Sequence, residues 1–148
     1  MYKRPKKVKQ EVEEVAVAYG KVFDNRMTII QSIKQGVSYK LFSYIKNRCP
    51  FSDEEWAKLL GMSTKSLQRY ALSKNHVFKS IHSEKILEIA EVCDAGMEVF
   101  NDKFALYEWL TKPAFAFENE VPMHFLDTSY GKQLIKEQFH RYAHGIFA

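Results

Sequence analysis

The sequence is poor in the residues that build disulfide frameworks, metal sites and nucleotide-binding loops. Its 148 residues include only two cysteines, Cys49 and Cys93, which lack the C-x-x-C spacing of a zinc or redox site. The six glycines are scattered, so none of them belongs to a phosphate-binding loop. No apolar run reaches the length of a transmembrane helix. We expect a soluble cytoplasmic protein whose two thiols are free and buried.

Candidate catalytic groups are also missing. His140 and His144 are four residues apart on one helical face, but no third metal ligand has a suitable spacing. Cys93 lies on an apolar helical stripe, where a thiol is normally a core residue. No serine or cysteine stands in a recognisable nucleophile motif. The sequence therefore predicts no enzyme, no metal site and no cofactor.

Positive and negative charges are separated along the chain, although the net charge is only +4. Residues 1–10 carry five basic side chains and no acid, and residues 64–79 carry four basic side chains and no acid. Residues 87–148 instead hold ten acidic against five basic residues. The basic segments suit contacts with nucleic-acid phosphates, whereas the acidic end suits another kind of partner.

Residues 52–73 predict two short helices joined by a tight turn. Ser52 and Glu55 form an S-x-x-E capping box, and the apolar residues that follow share one helical face. Ala57 allows a close helix crossing, and Gly61 tolerates the positive φ of a sharp helix end. A second helix begins at Ser63 or Thr64. This pattern is typical of a DNA-binding helix-turn-helix, whose second helix enters the major groove.

The second helix of this motif supplies the candidate DNA contacts. Leu67 and Tyr70 are expected to face inward. Arg69 can bind guanine with two hydrogen bonds, and Gln68 can bind adenine in a similar way. Because such readers commonly bind paired half-sites, we expect a homodimer on operator DNA. The polar side chains expected to face DNA are Thr64, Lys65, Ser66, Gln68 and Arg69.

The N-terminal 24 residues are the least defined part of the sequence. Residues 1–10 are charged, have little to bury and contain Pro5, so we expect a mobile arm. This arm is either a solvated tail or a segment laid along DNA. Residues 11–24 fit a helix and a short strand equally well.

Helical signals continue from residue 25 to residue 100. Asn25 or Thr28 begins a helix that Gly36 ends, and Ser38 caps a further helix that ends before Pro50. Residues 77–80 are expected to form a loop, after which Ser83 caps a long amphipathic helix. The first of these helices carries Met27, Ile30 and Ile33, and the second buries Leu41, Phe42 and Ile45. The stripe of the long helix comprises Ile86, Ile89, Ala90, Cys93, Met97 and Phe100.

The last third of the chain is rich in aromatic residues. A short helix that includes Trp109 ends at Pro113, an irregular link follows, and Pro122 can open another short helix. Thr128 or Ser129 caps a final helix, on which Leu134, Ile135, Phe139 and Tyr142 share a face. The chain ends in an apolar tail, Ile146–Ala148, which either folds back on its own domain or anchors in another protein. Every well-supported element is helical, so the fold class is all-α.

Several motifs in this order resemble a known antitoxin family. The segment WLTKPAFAFENEVPMHFLDTSYGKQLIKEQFHRYAHGIFA resembles the toxin-binding domain of the Xre/MbcA/ParS antitoxins. Upstream, SDEEWAKLLGMSTKSLQRY and HSEKILEIAEVCDAGMEVF resemble the family's Xre-like helix-turn-helix and its following helix, so the resemblance covers about residues 27–148. One departure is the link 114–120, which lacks the glycines of many members. The matching positions are Trp109–Leu110, Pro113, Pro122, Leu126, Thr128, Gly131 and Gly145–Phe147.

The resemblance implies a type II antitoxin that pairs with a RES-domain toxin, an enzyme that consumes NAD. It also implies that the C-terminal domain covers the toxin's active-site entrance and that the helix-turn-helix represses the antitoxin's own operon. The expected division is an N-terminal segment 1–24, a DNA-binding domain 25–100 and a toxin-binding domain 101–148, within a homodimer or larger assembly. The implied toxin contacts are Trp109, Tyr142, His144, Gly145, Ile146, Phe147 and Ala148.

Two other interpretations remain open at the level of sequence. The chain could be a stand-alone helix-turn-helix transcription factor whose C-terminal half dimerises or senses a ligand. It could also be an adaptor that does not bind DNA. A neighbouring toxin gene would favour the antitoxin over the transcription factor.

Overall fold

The all-α prediction is confirmed. In the computed structural model, which describes residues 5–73 and 75–145, eight α-helices and two 3₁₀ turns account for the regular structure. The only β-type pairing within these ranges is two isolated bridges, Ser38 with Val77 and Ala114 with Glu120. The helices are α1 (Lys6–Val22), α2 (Arg26–Gln35), α3 (Tyr39–Arg48), α4 (Asp53–Leu60), α5 (Thr64–Leu72), α6 (Ser80–Phe100), α7 (Lys103–Thr111) and α8 (Ser129–Ala143).

Five helices begin at a polar residue that the sequence identifies. Asn25 and Thr28 cap α2 reciprocally, as Ser52 and Glu55 cap α4. In each reciprocal pair, both side chains bind backbone N–H groups that would otherwise lack partners. The Ser38, Ser63 and Thr128 side chains accept the third N–H of α3, α5 and α8, at 3.2, 3.1 and 2.9 Å.

The expectation of a mobile arm over residues 1–10 is wrong for residues 6–10, which form the first turns of α1. Pro5 stands immediately before the helix, and its carbonyl accepts the Lys9 N–H at 3.1 Å. A proline is tolerated there because the missing N–H has no partner at a helix start. The same helix extends to Val22, so residues 11–22 are helical and do not form a strand. Residues 1–4 lie outside the described part of the chain.

Ser83 is not the cap of α6, which begins three residues earlier and follows Lys79. Its buried hydroxyl instead accepts the Val37 N–H at 2.8 Å and donates to the Phe78 carbonyl at 3.2 Å. The segment before α6 is thereby fixed to the end of α2. The sequence could not reveal this role, because both partners of the hydroxyl come from loops.

Burial was predicted correctly for most apolar stripes but not for all. On α2, Met27 and Ile30 are exposed, whereas Ile29 and Ile33 pack against the core. On α8, Leu134 is exposed and Ile135 is buried. The other predicted residues of these faces do pack inward, so the error is confined to Met27, Ile30 and Leu134.

Helix α6 lies at the centre of the molecule. Helices α2, α3, α4, α7 and α8 all contact it, and the predicted stripe residues Ile86, Ile89, Ala90 and Cys93 are buried. Lys132 and Lys136 of α8 pair with Glu88 and Glu91 of α6 at 3.3 and 3.1 Å, so the two helices run in the same direction. The predicted domain boundary at residue 100 therefore lies at the end of α6, a helix that packs against both the N-terminal and the C-terminal helices.

The segment that links α7 to α8 is compact. It contains the 3₁₀ turns Phe115–Phe117 and Pro122–Phe125, and Pro122 opens the second turn as expected. Glu118 and Asn119 adopt φ values of 55° and 66°, a left-handed conformation that glycine adopts most easily. The link therefore turns sharply although it contains no glycine.

Both cysteines are free and buried, as predicted. Burial and a hydrogen bond with Cys49 raise the pKa of the Cys93 thiol, so this thiol stays protonated and unreactive. In the part of the chain that the structure describes, no helix has the length and apolar character needed to cross a membrane.

We predict that Gly131→Ala destabilises the C-terminal half. A Cβ at this position would lie 1.8 Å from the Phe125 carbonyl oxygen, so backbone would have to move. We expect a loss of at least about 1–3 kcal/mol, the usual cost of overpacking, measured by denaturant unfolding. The matched control is Gly20→Ala in α1, where a Cβ meets nothing within 4 Å. That control should stabilise by about 0.5–1 kcal/mol. Equal stability of the two variants would contradict the prediction.

Candidate functional site

The α4–α5 pair has the predicted form of a helix-turn-helix. Gly61 ends α4 in the left-handed conformation, with φ 70° and ψ 35°. Ala57 is buried, and its carbonyl accepts the N–H of Met62 at 3.0 Å, which closes the turn. Leu67 is buried and fixes the inner face of α5. The opposite face is left to solvent.

The five predicted DNA contacts lie together on α5 but differ in exposure. Lys65, Gln68 and Arg69 are exposed, and Thr64 and Ser66 are half-buried. The Ser66 hydroxyl lies 2.9 Å from the Ser63 hydroxyl, and the Ser66 backbone N–H donates to the same Ser63 oxygen. Ser66 therefore helps to cap α5, which leaves Lys65, Gln68 and Arg69 as the accessible side chains of the face.

His76 packs against Tyr70 of α5, a contact that sequence reasoning missed. Its ring stacks on Tyr70 with centroids 3.6 Å apart, and the Arg69 guanidinium lies 5.6 Å from the same Tyr70 ring. The buried His76 Nε2 atom has no hydrogen-bond partner within the described residues. Burial and the nearby Arg69 charge lower the pKa of His76 below its ordinary value of 6.5.

Trp109 is part of an aromatic cluster in the C-terminal half. Its ring centroid lies 4.8 Å from Phe139, 5.9 Å from Phe117, 6.1 Å from Tyr142 and 6.3 Å from Phe100. The indole is half-buried. Trp109 and Tyr142, both predicted toxin contacts, thus touch each other and also hold α6, α7 and α8 together.

The end of α8 presents the other predicted contacts. His144 is exposed, and its Nδ1 lies 2.9 Å from the His140 carbonyl oxygen, which also accepts the His144 backbone N–H. Gly145 has φ 72°, a left-handed conformation of the kind that commonly ends a helix. Ile146, Phe147 and Ala148 lie outside the described residues. No metal-binding group of histidine, cysteine and acidic side chains occurs within 5–73 and 75–145.

Two exposed aromatic residues in the same half were not singled out from the sequence. Phe115 is 83% exposed and Tyr130 is 88% exposed. Large aromatic side chains in solvent are typical of protein-binding surfaces, where they supply most of the binding energy. Their spacing carries no periodic signal, so only the fold reveals that both are outside the core.

The two halves are also joined through α7. The Tyr107 hydroxyl donates to Glu55 Oε2 at 3.0 Å, while Oε1 of the same carboxylate accepts the Ser52 N–H at 2.9 Å. Lys103 donates to the Asn47 carbonyl at 2.9 Å. The hydrogen bond to Glu55 raises the pKa of Tyr107.

The fold and these surfaces define a class of protein. It is a helix-turn-helix protein with an exposed polar face on α5 and a second helical unit that carries exposed aromatic residues. Comparison with family models identifies both parts. Residues 28–91 match the antitoxin Xre-like helix-turn-helix domain, and residues 95–145 match the antitoxin Xre/MbcA/ParS C-terminal toxin-binding domain. The chain belongs to the Xre/MbcA/ParS antitoxins, and its partner is a toxin.

A solved structure shares this fold. One chain in the crystal structure of the M. tuberculosis MbcT–MbcA toxin–antitoxin complex superposes with a TM-score of 0.60 at 21% sequence identity. The match covers 72% of the present chain and 94% of that chain. At this identity the likeness supports the fold alone. A comparison with curated proteins gives no significant match.

The half-buried His76 predicts a loss of stability in mild acid. The folded protein binds a proton at this site less readily than the unfolded chain does, so stability falls as the pH drops through about 6.5. His76→Phe keeps a stacking ring without titration and should flatten the profile. His82, whose pKa is also lowered, will leave a residual slope. Urea unfolding between about pH 8 and 5.5 measures this effect, with His140→Phe as the exposed control. Identical slopes for His76→Phe and the unmodified chain would disprove it.

Proposed function

We propose that this antitoxin neutralises a cognate RES-domain toxin by binding it directly and covering the entrance to its NAD-consuming active site. The observation that carries the proposal is the toxin-binding domain at 95–145, whose exposed surface includes Phe115 and Tyr130. The RES class of the toxin is what the resemblance to the Xre/MbcA/ParS family implies. The printed title of the related crystal structure describes a toxin–antitoxin complex, which agrees with direct binding.

In this mechanism the antitoxin performs no chemistry. The aromatic cluster around Trp109 holds α8 against α6 and α7, and so fixes the position of the end of α8. The apolar residues Ile146 and Phe147 follow directly in the sequence. An apolar segment delivered to the mouth of an active site excludes substrate by occupying its volume. In this proposal Trp109 acts mainly by positioning the end of α8.

The second half of the proposal is repression of the antitoxin's own operon through α5. The exposed side chains of Lys65, Gln68 and Arg69 combine a phosphate-binding cation with two residues suited to base edges. A homodimer would place two such helices on paired half-sites, and toxin would add to this assembly.

Deletion of Gly145–Ala148 tests neutralisation. We expect co-expressed toxin to become active again, because the blocking segment is gone, while unfolding and DNA binding of the antitoxin are unchanged. Gly145 is exposed, and a Cβ built on it meets no atom within 4 Å, so its loss leaves no cavity. Growth of cells that carry both genes is the measurement.

A full-length variant distinguishes the loss of apolar contact from the shortening of the chain. Ile146→Ser combined with Phe147→Ser should also release toxicity. Trp109→Ala is a poor substitute, because it removes the centre of the aromatic cluster and unsettles the fold. Complete neutralisation by the truncated chain would rule out occlusion by the tail.

Arg69→Ala tests operator recognition. We expect operator affinity to fall by about 5- to 150-fold, equivalent to about 1–3 kcal/mol for a lost bidentate base contact. Gel shifts of the operon's upstream DNA measure this, with Arg141→Ala on α8 as the exposed-arginine control. An adaptor that does not bind DNA would give the same result for both variants and for the unmodified chain.

A further inference from the structure

A second group of positive charges lies beside the helix-turn-helix, at the start of α6. Lys79 is exposed and immediately precedes α6, and Lys85 lies on the second turn of this helix. A Cβ built on Gly61, which ends α4, would lie 3.7 Å from the Lys85 ammonium nitrogen. The start of α6 is therefore next to the turn that joins α4 to α5. None of the five DNA contacts predicted from the sequence comes from α6.

His82 lies between the two lysines and connects them to α5. Its backbone N–H donates to the Lys79 carbonyl at 3.1 Å. Burial, and then the charges of Lys85 and Lys79, lower the pKa of His82 below its ordinary value of 6.5. His76, which packs against α5, contributes to the same lowering, and the pKa of His76 is itself lowered by the Arg69 charge. The cations of α5 and of the start of α6 thus belong to one surface.

This surface has no acidic partners in the part of the chain that the structure describes. Residues 56–83 carry five basic side chains and no acid. Glu84, the next acid along the chain, is exposed and forms no ion pair. Like charges held together without counter-ions repel each other, so a polyanion that neutralises them binds favourably. The ion pairs found between residues 5–73 and 75–145 instead involve Lys46, Arg48, Lys112, Lys132 and Lys136.

Continuity with α5 identifies this polyanion as duplex DNA. The exposed face of α5 carries Lys65, Gln68 and Arg69, and a sugar–phosphate strand borders each side of the major groove that such a helix enters. Cations on the flank of the helix-turn-helix meet the phosphates of one of these strands. The ammonium group of a lysine is a point charge, which suits phosphate oxygens and carries no sequence information.

We propose that Lys79 and Lys85 bind phosphates of one DNA strand beside the groove that α5 enters, and that they hold α5 in its position there. This inference rests on the proposed DNA binding and deepens it. The start of α6 adds a contact that is the same for every sequence, whereas α5 supplies the contacts that distinguish sequences. His82, between the two lysines, gains a negatively charged neighbour when DNA is bound.

The combined change Lys79→Gln and Lys85→Gln tests the contact through its salt dependence. The plot of log affinity against log salt concentration should become less steep by about two, or about one for each lost phosphate contact. Affinities for the operator and for an unrelated duplex of equal length should fall by the same factor. Fluorescence anisotropy of labelled duplexes between about 50 and 200 mM salt measures both quantities.

Two matched variants accompany this measurement. Lys21→Gln with Lys112→Gln removes the same charge from exposed positions on α1 and after α7, and should leave the slope unchanged. Lys79→Arg with Lys85→Arg keeps both charges at the start of α6 and should retain the slope, because a guanidinium also binds phosphate. Circular dichroism establishes that all variants are folded.

The His82 imidazole gives an independent measurement at the same place. Bound phosphates offset the charges of Lys79 and Lys85, so DNA should raise the pKa of His82. His140 is exposed on α8 and serves as the control, whose pKa should not change. NMR titration of the imidazole signals, with and without duplex, measures both. A His82 pKa that DNA leaves unchanged would overturn the inference.

The remaining outcomes separate this inference from the proposed function. If the unmodified chain binds its operator and the double glutamine variant keeps the same affinity and slope, the α6 contact is wrong and operator recognition by α5 stands. If the slope falls as expected but Arg69→Ala leaves the preference for the operator intact, the α6 contact stands and base recognition by Arg69 is wrong. A single-stranded RNA that competes more strongly than the duplex would overturn the inference by making RNA the ligand.

Discussion

The burial of α6 from both sides is the constraint on which the rest of the structure depends. Ile86, Ile89 and Cys93 are buried, and α2, α3 and α4 of the N-terminal half contact α6. On the other side, Gly96 lets Leu106 of α7 approach so closely that a Cβ would lie 2.6 Å from its side chain. A helix that is apolar on several faces has to be enclosed. The two family domains meet inside this helix, between residues 91 and 95, so neither half has a complete core without it.

Local signals made the helix-turn-helix predictable. The caps at Ser52 and Ser63 and the left-handed turn at Gly61 use hydrogen bonds and torsions between residues close in sequence, which a single chain displays directly. Contacts between distant segments were not predictable. Ser83 has the appearance of a helix cap, yet it binds Val37 and Phe78, because the packing of α2 against α6 places their backbone groups around it.

The toxin-binding half shows a second limit of sequence reasoning. An aromatic residue on a helix can fill a core or anchor a partner, and the sequence cannot distinguish the two. Trp109, expected from the family motif to bind toxin, contacts four other rings within its own chain, whereas Phe115 and Tyr130 are almost fully exposed. Solvent exposure, which depends on the whole fold, is the property that separates the two roles.

The two contacts of Glu55 constrain how this sequence can change during evolution. One of its oxygens caps the first helix of the helix-turn-helix, and the other holds Tyr107 in the C-terminal half. Substitution of this carboxylate removes a helix cap and an inter-half contact at once. Substitution of Glu55 is therefore penalised through both parts of the chain, and a C-terminal half without a hydroxyl donor at the position of Tyr107 would lose this contact.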